Sequence, residues 1–127
     1  MTSYTGIVRK GTQRAAELGF STINIPLDDA SVSGIYAAKV KVGANPAEPD
    51  ARPEGFREEE YEAAAYADQK RKVLEAHILD FSKDLYGWNV KIELLKKIRE
   101  HKKFTDDKTL QKAIAEDIKS VREYFDI

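Results

Sequence analysis

The stretch that most constrains this chain is Val73-Leu74-Glu75-Ala76-His77-Ile78-Leu79-Asp80-Phe81, followed by Asp84-Leu85-Tyr86-Gly87. Read as a strand, its side chains alternate between two faces. Val73, Glu75, His77, Leu79 and Phe81 fall on one; Leu74, Ala76, Ile78 and Asp80 fall on the other. Each face is mostly apolar and each carries an ionisable group. A sheet with one wet face does not read this way; a strand covered on both sides does. A carboxylate among Val, Leu and Phe has a desolvation cost to recover. Either Glu75 has a partner, or it faces a pocket where a proton is handled. The plain alternative is a strand-edge carboxylate with its head in water.

Such a strand needs a core, and 127 residues supply one domain with one modest core. A single domain over 1–127 is expected. With 21 Lys and Arg against 22 Asp and Glu, no global field recruits nucleic acid. Charged residues make 34% of the chain, so the surface is expected to be ion-rich and mixed in sign. The absence of cysteine removes disulfides, thiolate nucleophiles and cysteine-based zinc sites together. Met1 to Gly6 has no basic segment and no apolar run, and no stretch is apolar for long enough to span a bilayer. A soluble, cytoplasmic, monomeric protein is expected, with neither a nucleic-acid nor a membrane partner.

Along the chain, Ile7-Val8 reads as a first strand. Arg9 to Phe20 is polar and cationic, with Gly11 and Gly19 at its flanks. A loop of this kind wraps phosphates through backbone N–H groups, although both glycines also suit ordinary turns. Neither a Walker A sequence nor GxGxxG occurs. In Ser21-Thr22-Ile23-Asn24-Ile25-Pro26 the isoleucines alternate with Thr22 and Asn24, which therefore share a face. A hydroxyl and an amide oxygen are hard neutral ligands of the kind Mg²⁺ takes alongside water and phosphate. A solvent-facing polar edge explains the same spacing. Gly34 to Gly43 is a strand with Tyr36, Ala38, Val40 and Val42 on one face. The segment 44–60 reads as a flexible loop, with Pro46, Pro49 and Pro53 inside it.

The segment from Arg57 to Lys72 pulls two ways. Glu58 to Ala67 has high helix propensity, yet Tyr61 to Ala67 also fits a strand, with Asp68 to Lys72 as a charged turn into the Glu75 strand. Trp88 to Leu94 alternates as a strand, and the basic run from Leu95 to Lys103 reads as solvated surface. Thr105 caps a final helix with Asp106 and Asp107 in its first turn. Its stripe of Leu110, Ile114, Ile118, Val121 and Phe125 is expected to pack on a sheet.

Together these blocks resemble the riboflavin kinase (flavokinase) family from Gly6 to about Val121. Arg14 to Gly19, ending Leu18-Gly19-Phe20, resembles the family's Gly/Arg-rich loop. Ser21-Thr22-Ile23-Asn24 resembles its Pro-Thr-Ala-Asn motif. Glu75-Ala76-His77-Ile78-Leu79-Asp80-Phe81 with Leu85-Tyr86-Gly87 resembles its Glu-x-His-x-x-Asp-Phe and Leu-Tyr-Gly segment. Arg99 to Phe104, followed by Leu110 and Asp117, resembles its Arg–Lys–Phe segment and last helix. The order of the blocks agrees as well.

The resemblance implies a mostly-β fold: a small six-stranded Greek-key β-barrel with a C-terminal α-helix packed outside. Strands are then expected at Ile7, Ile23, Ile35, Tyr61, Val73 and Val90, which makes the Tyr61 segment a strand. It also implies transfer of the γ-phosphoryl group of ATP to the 5′-hydroxyl of riboflavin, giving FMN and ADP with Mg²⁺. By position, Glu75 becomes the base, and Thr22 and Asn24 bind the metal and nucleotide phosphates. Gly11, Arg14, Ala15 and Tyr86 fall on the nucleotide side; Ile78, Asp80, Arg99, Lys102 and Phe104 fall on the flavin side. The chain departs from the family at Arg14-Ala15-Ala16, where a glycine and an arginine are lost, and at Ser21 and Ile23. The alternative reading is a weak relative that binds flavin or nucleotide without turning it over. The nucleotidyl-transfer domain of two-function relatives has no counterpart here, so FMN adenylylation is not expected.

Overall fold

The computed structural model describes residues 2–10, 14–43, 60–81 and 85–127. Gly11, Asp84 and residues 44–59 of the Pro-rich segment lie outside the described residues. The described chain folds as β1 (Thr2–Ile7), α1 (Arg14–Glu17), β2 (Ile23–Pro26), β3 (Gly34–Val42), β4 (Tyr61–Asp68), β5 (Val73–Ile78), β6 (Asn89–Arg99) and α2 (Asp107–Phe125). The six strands form one antiparallel sheet in the order β1-β6-β3-β4-β5-β2. β3, β4 and β5 are successive neighbours and β6 returns beside β3, which is a Greek key. The sheet curls until its outer strands nearly meet. The Arg9 N–H donates to the Asn24 carbonyl at 2.9 Å, and a Cβ on Gly6 would stand 3.1 Å from that of Ile25. The result is a nearly closed barrel with α2 outside it.

Alternation explains the interior. Ile23 and Ile25, Ala38 and Val40, Leu74, Ala76 and Ile78, and Val90 and Ile92 all bury into one cluster. β4 adds Tyr61, Ala63, Ala65 and Ala67 to it. That segment is helical by propensity and a strand in fact. It pairs along its length with β3 on one side and β5 on the other, and its alternate residues close the core. Two ladders of hydrogen bonds and a buried face outweigh a local preference of a few tenths of a kcal/mol per residue.

A smaller cluster lies outside the barrel, where Ala37, Leu79 and Val121 are buried and Ile98, Ile118 and Phe125 pack against them. There α2 packs on β3, β4 and β6. The outer face of β5 meets a space instead: Glu75 and His77 line a cavity that Leu110 and Ile114 of α2 also line.

Four boundaries differ from the sequence reading. β1 occupies Thr2–Ile7, so Val8 follows the strand instead of belonging to it. β5 ends at Ile78, because Asp80 takes a left-handed conformation with φ 57°. β6 runs on to Arg99 through the start of the basic run. Its register against β3 skips Leu95 and Ile98, and these bulges turn the end of the strand. The cap of α2 is Asp106 rather than Thr105: its carboxylate accepts the Thr109 N–H at 2.8 Å from an extended backbone.

Candidate active site

The outer faces of β2, β5 and β4 lie side by side and carry the polar groups. Glu75 is paired in register with Asn24 on one neighbour and Tyr66 on the other. Thr22 stands just before β2, and its hydroxyl donates to Glu75 Oε1 at 3.3 Å. The second carboxylate oxygen of Glu75 accepts from Arg71 Nη2 at 2.8 Å. Glu75 is 7% exposed and Asn24 is 3% exposed. The desolvation cost anticipated for Glu75 is thus met by a partner, and the residue also faces a cavity. Asn24 is the opposite case: its Oδ1 is buried without a hydrogen-bond partner.

Between this surface and the first half of α2 lies a cavity of about 170 Å³. Its walls are largely apolar, with Phe20, Ile35, Phe104 and Ile114 among them. Thr22, Glu75, Arg71, Tyr66 and Arg99 bring polar groups to it. Leu110 and Ile114 of α2 also line it, so the N-terminal half of the helix stripe covers a cavity and the C-terminal half covers the sheet. Gln111 ties α2 to the segment after α1 through the Leu18 carbonyl at 2.9 Å.

Arg99 is fixed from two sides. Its Nε and Nη2 donate to the two oxygens of Asp117 on α2, each at 2.8 Å. Its guanidinium lies 5.7 Å from the centre of the Phe104 ring. Across the mouth, Tyr66 and His101 stack at 5.4 Å, and the Tyr66 oxygen is 2.8 Å from His101 Nδ1. Burial, then the charges of Asp68 and Glu75, push the Tyr66 phenol up to about 12, against the pull of Arg71 and Arg99.

Of the residues singled out from sequence, Ala15, Thr22, Glu75, Arg99, Lys102 and Phe104 line the cavity, and Asn24 is next to Glu75. Ala15 belongs to the short helix α1, where an open loop was expected. Ile78, Asp80 and Tyr86 stand elsewhere. Ile78 points into the barrel core. Asp80 is exposed and pairs with Arg122 of α2 at 2.8 Å. Tyr86 is 39% exposed, with Lys10 over its ring at 6.0 Å.

Sequence reasoning missed Arg71, Tyr66, His101 and Asp68 as parts of the site. Arg71 sat in a stretch read as a charged turn, and His101 in a basic run read as solvated surface. The available signal was the i, i+3 and i, i+4 spacing of Asp68, Arg71 and Glu75 around a short turn.

The family profile described as Flavokinase: Riboflavin kinase matches residues 1–125. The chain belongs to the riboflavin kinase family. Among its relatives, the bifunctional riboflavin kinase/FMN adenylyltransferase of Escherichia coli (strain K12) is 34% identical over 124 residues, covering 95% of this chain and 37% of that protein. This chain spans well under half the length of the curated relatives it matches. The crystal structure of riboflavin kinase from Trypanosoma brucei superposes with a TM-score of 0.64 at 26% identity, covering 98% of this chain and 79% of that one. A structure titled macrolide-efflux protein from Streptococcus pneumoniae gives a TM-score of 0.70 at 24% identity, covering 94% of this chain and 36% of that one, and bears on the fold alone. Among the described residues, no helix is long and apolar enough to cross a membrane.

Proposed function

We propose that this protein is an ATP:riboflavin 5′-phosphotransferase, with Glu75 as the base. The observation that carries the reading is the meeting of Thr22, Asn24 and Glu75, half the chain apart in sequence, beside a mostly apolar cavity. In the reaction, the 5′-oxygen of riboflavin bonds to the γ-phosphorus as the bond to the β-bridging oxygen breaks. The hydroxyl proton passes to a carboxylate, and ADP leaves. Phosphoryl transfer asks mainly for alignment and charge neutralisation, with one carboxylate taking a late proton. Glu75 has one oxygen beside Thr22 and lines the cavity, which suits that part.

A divalent cation fits the donor set. The orphaned Asn24 Oδ1 and the Thr22 hydroxyl are hard neutral oxygens, and Mg²⁺ takes such ligands with phosphate and water completing its shell. Thr22 and Asn24 would hold the ion, which when bound would supply positive charge against the phosphates of ATP. Phe104 and Phe20 offer faces to a planar ring, while Arg99 and Lys102 offer donors at its edge. By the family resemblance, Arg14 and Ala15 would serve the phosphates and Tyr86 the nucleotide.

Incubation with riboflavin, ATP and Mg²⁺, followed by chromatographic separation of FMN, tests the reading. FMN and ADP in equal amounts are expected. Tight riboflavin binding without FMN would select the alternative, a relative that binds without turnover. Ala15 and Ala16, standing where the family's loop has a glycine and an arginine, are the feature that favours that alternative.

A further inference from the structure

The turn between β4 and β5 links two buried carboxylates through one guanidinium. Arg71 Nε donates to Asp68 Oδ2 at 2.6 Å, and Nη2 donates to Glu75 Oε2 at 2.8 Å. The other Asp68 oxygen accepts the Arg71 backbone N–H at 3.1 Å. The carboxylate that grips the guanidinium therefore also fixes the turn it springs from, and Lys72 closes that turn at φ 55°. The Asp68 and Glu75 side chains are 9% and 10% exposed, and Arg71 is 34% exposed. Two acids are thus kept out of water around a single partly covered cation. Burial works against the charge on Arg71, but the two carboxylates outweigh it and hold the guanidinium above its usual value.

The division of labour at Glu75 is the telling feature. Oε2 is held by a charged, planar donor, while among the described residues Oε1 has only the Thr22 hydroxyl at 3.3 Å. Register neighbours Asn24 and Tyr66 stand on either side. A rigid fork sets direction as well as charge; an ammonium supplies charge alone. We infer that Arg71, held by Asp68, is a positioning residue that fixes Oε2 of Glu75 and thereby aims Oε1 at the hydroxyl to be phosphorylated. The inference deepens the kinase reading and rests on it. The competing account is that the three residues only staple the hairpin.

The two accounts part in the kinetics. Arg71→Met and Arg71→Lys are made in the native chain and in Glu75→Gln, with kcat, both KM values and thermal melts recorded. Misplacing a reacting group costs up to about 10²-fold in rate, so Arg71→Met is expected to lower kcat by about 10- to 100-fold. Either KM should move by less than about threefold. Arg71→Lys should restore part of the rate, and Arg71→Met should cost nothing further once Glu75 is Gln. An unchanged kcat, or an equal loss in both backgrounds, overturns the positioning role. Should Arg71→Met not fold, Asp68→Asn takes its place: it keeps the shape and loosens the grip on Arg71, so an undiminished kcat there is equally fatal. Native protein that makes no FMN sinks the kinase reading and this role together; native protein that does, with Arg71→Met undiminished, sinks the role alone.

Discussion

At Asn24 an amide oxygen is buried with nothing to bond, a position that lowers stability by about 1–3 kcal/mol unless something else binds there. Folding alone gives no reason for it; the cation site proposed above would. Asn24→Leu, close in volume, should therefore reduce FMN formation more than 10²-fold, about the loss of a group that touches the reacting charge. Its melting temperature should hold or rise. Parallel loss of both would make Asn24 a structural residue. At Tyr66 the phenol is raised to about 12, so it stays neutral in the working range and is unfit to act as the base. Glu75 could be read from sequence as an acid with a desolvation cost to recover. The identity of its partner could not, because Arg71 lies in a turn whose closure is a tertiary event.

Among the elements, the end of β6 is held by backbone packing as much as by charge. Gly34 opens β3 at φ 99°, and a Cβ there would come within 2.5 Å of the Arg99 carbonyl oxygen. Gly34→Ala should cost more than about 1 kcal/mol by chemical denaturation and should displace Arg99 from the cavity. Wild-type stability in that variant would show that β3 and β6 can part without cost. The β4–β5 turn contributes a pH dependence. Burial raises the Asp68 carboxyl, but the side-chain and backbone hydrogen bonds from Arg71 and its charge outweigh burial, and the net shift is downward. With the folded value below the unfolded one near 3.9, the unfolded chain binds more protons in between, and stability falls as pH drops through that window. Asp68→Asn should flatten that part of the acid limb in thermal melts; an unaltered limb would contradict it. β5 and α2 were legible because their periodicities are strong. β4 was not legible by propensity, since alanines and glutamates favour a helix until two neighbouring strands compete for the backbone.

On the scale of the whole molecule, the barrel exists to bring its first and last-paired strands together. The β2–β5 ladder lets Thr22 and Asn24 meet Glu75, and closure against β1 holds β2 in place. Ile25 is fully buried at this closure, facing Gly6. Ile25→Ala should cost about 2–5 kcal/mol and lower activity in proportion to the unfolded fraction, without changing kcat per folded molecule. The Greek-key order and the outside helix followed from the resemblance. The roof over the cavity did not, because a helix stripe does not say which half of it will meet a surface and which a space. The central claim is that this architecture delivers a proton acceptor to a substrate hydroxyl. Single-turnover FMN formation by native and Glu75→Gln protein, at saturating riboflavin and MgATP, tests it most directly. A fall of about 10²–10⁴ in rate with riboflavin affinity retained is predicted; equal rates for the two proteins would contradict it.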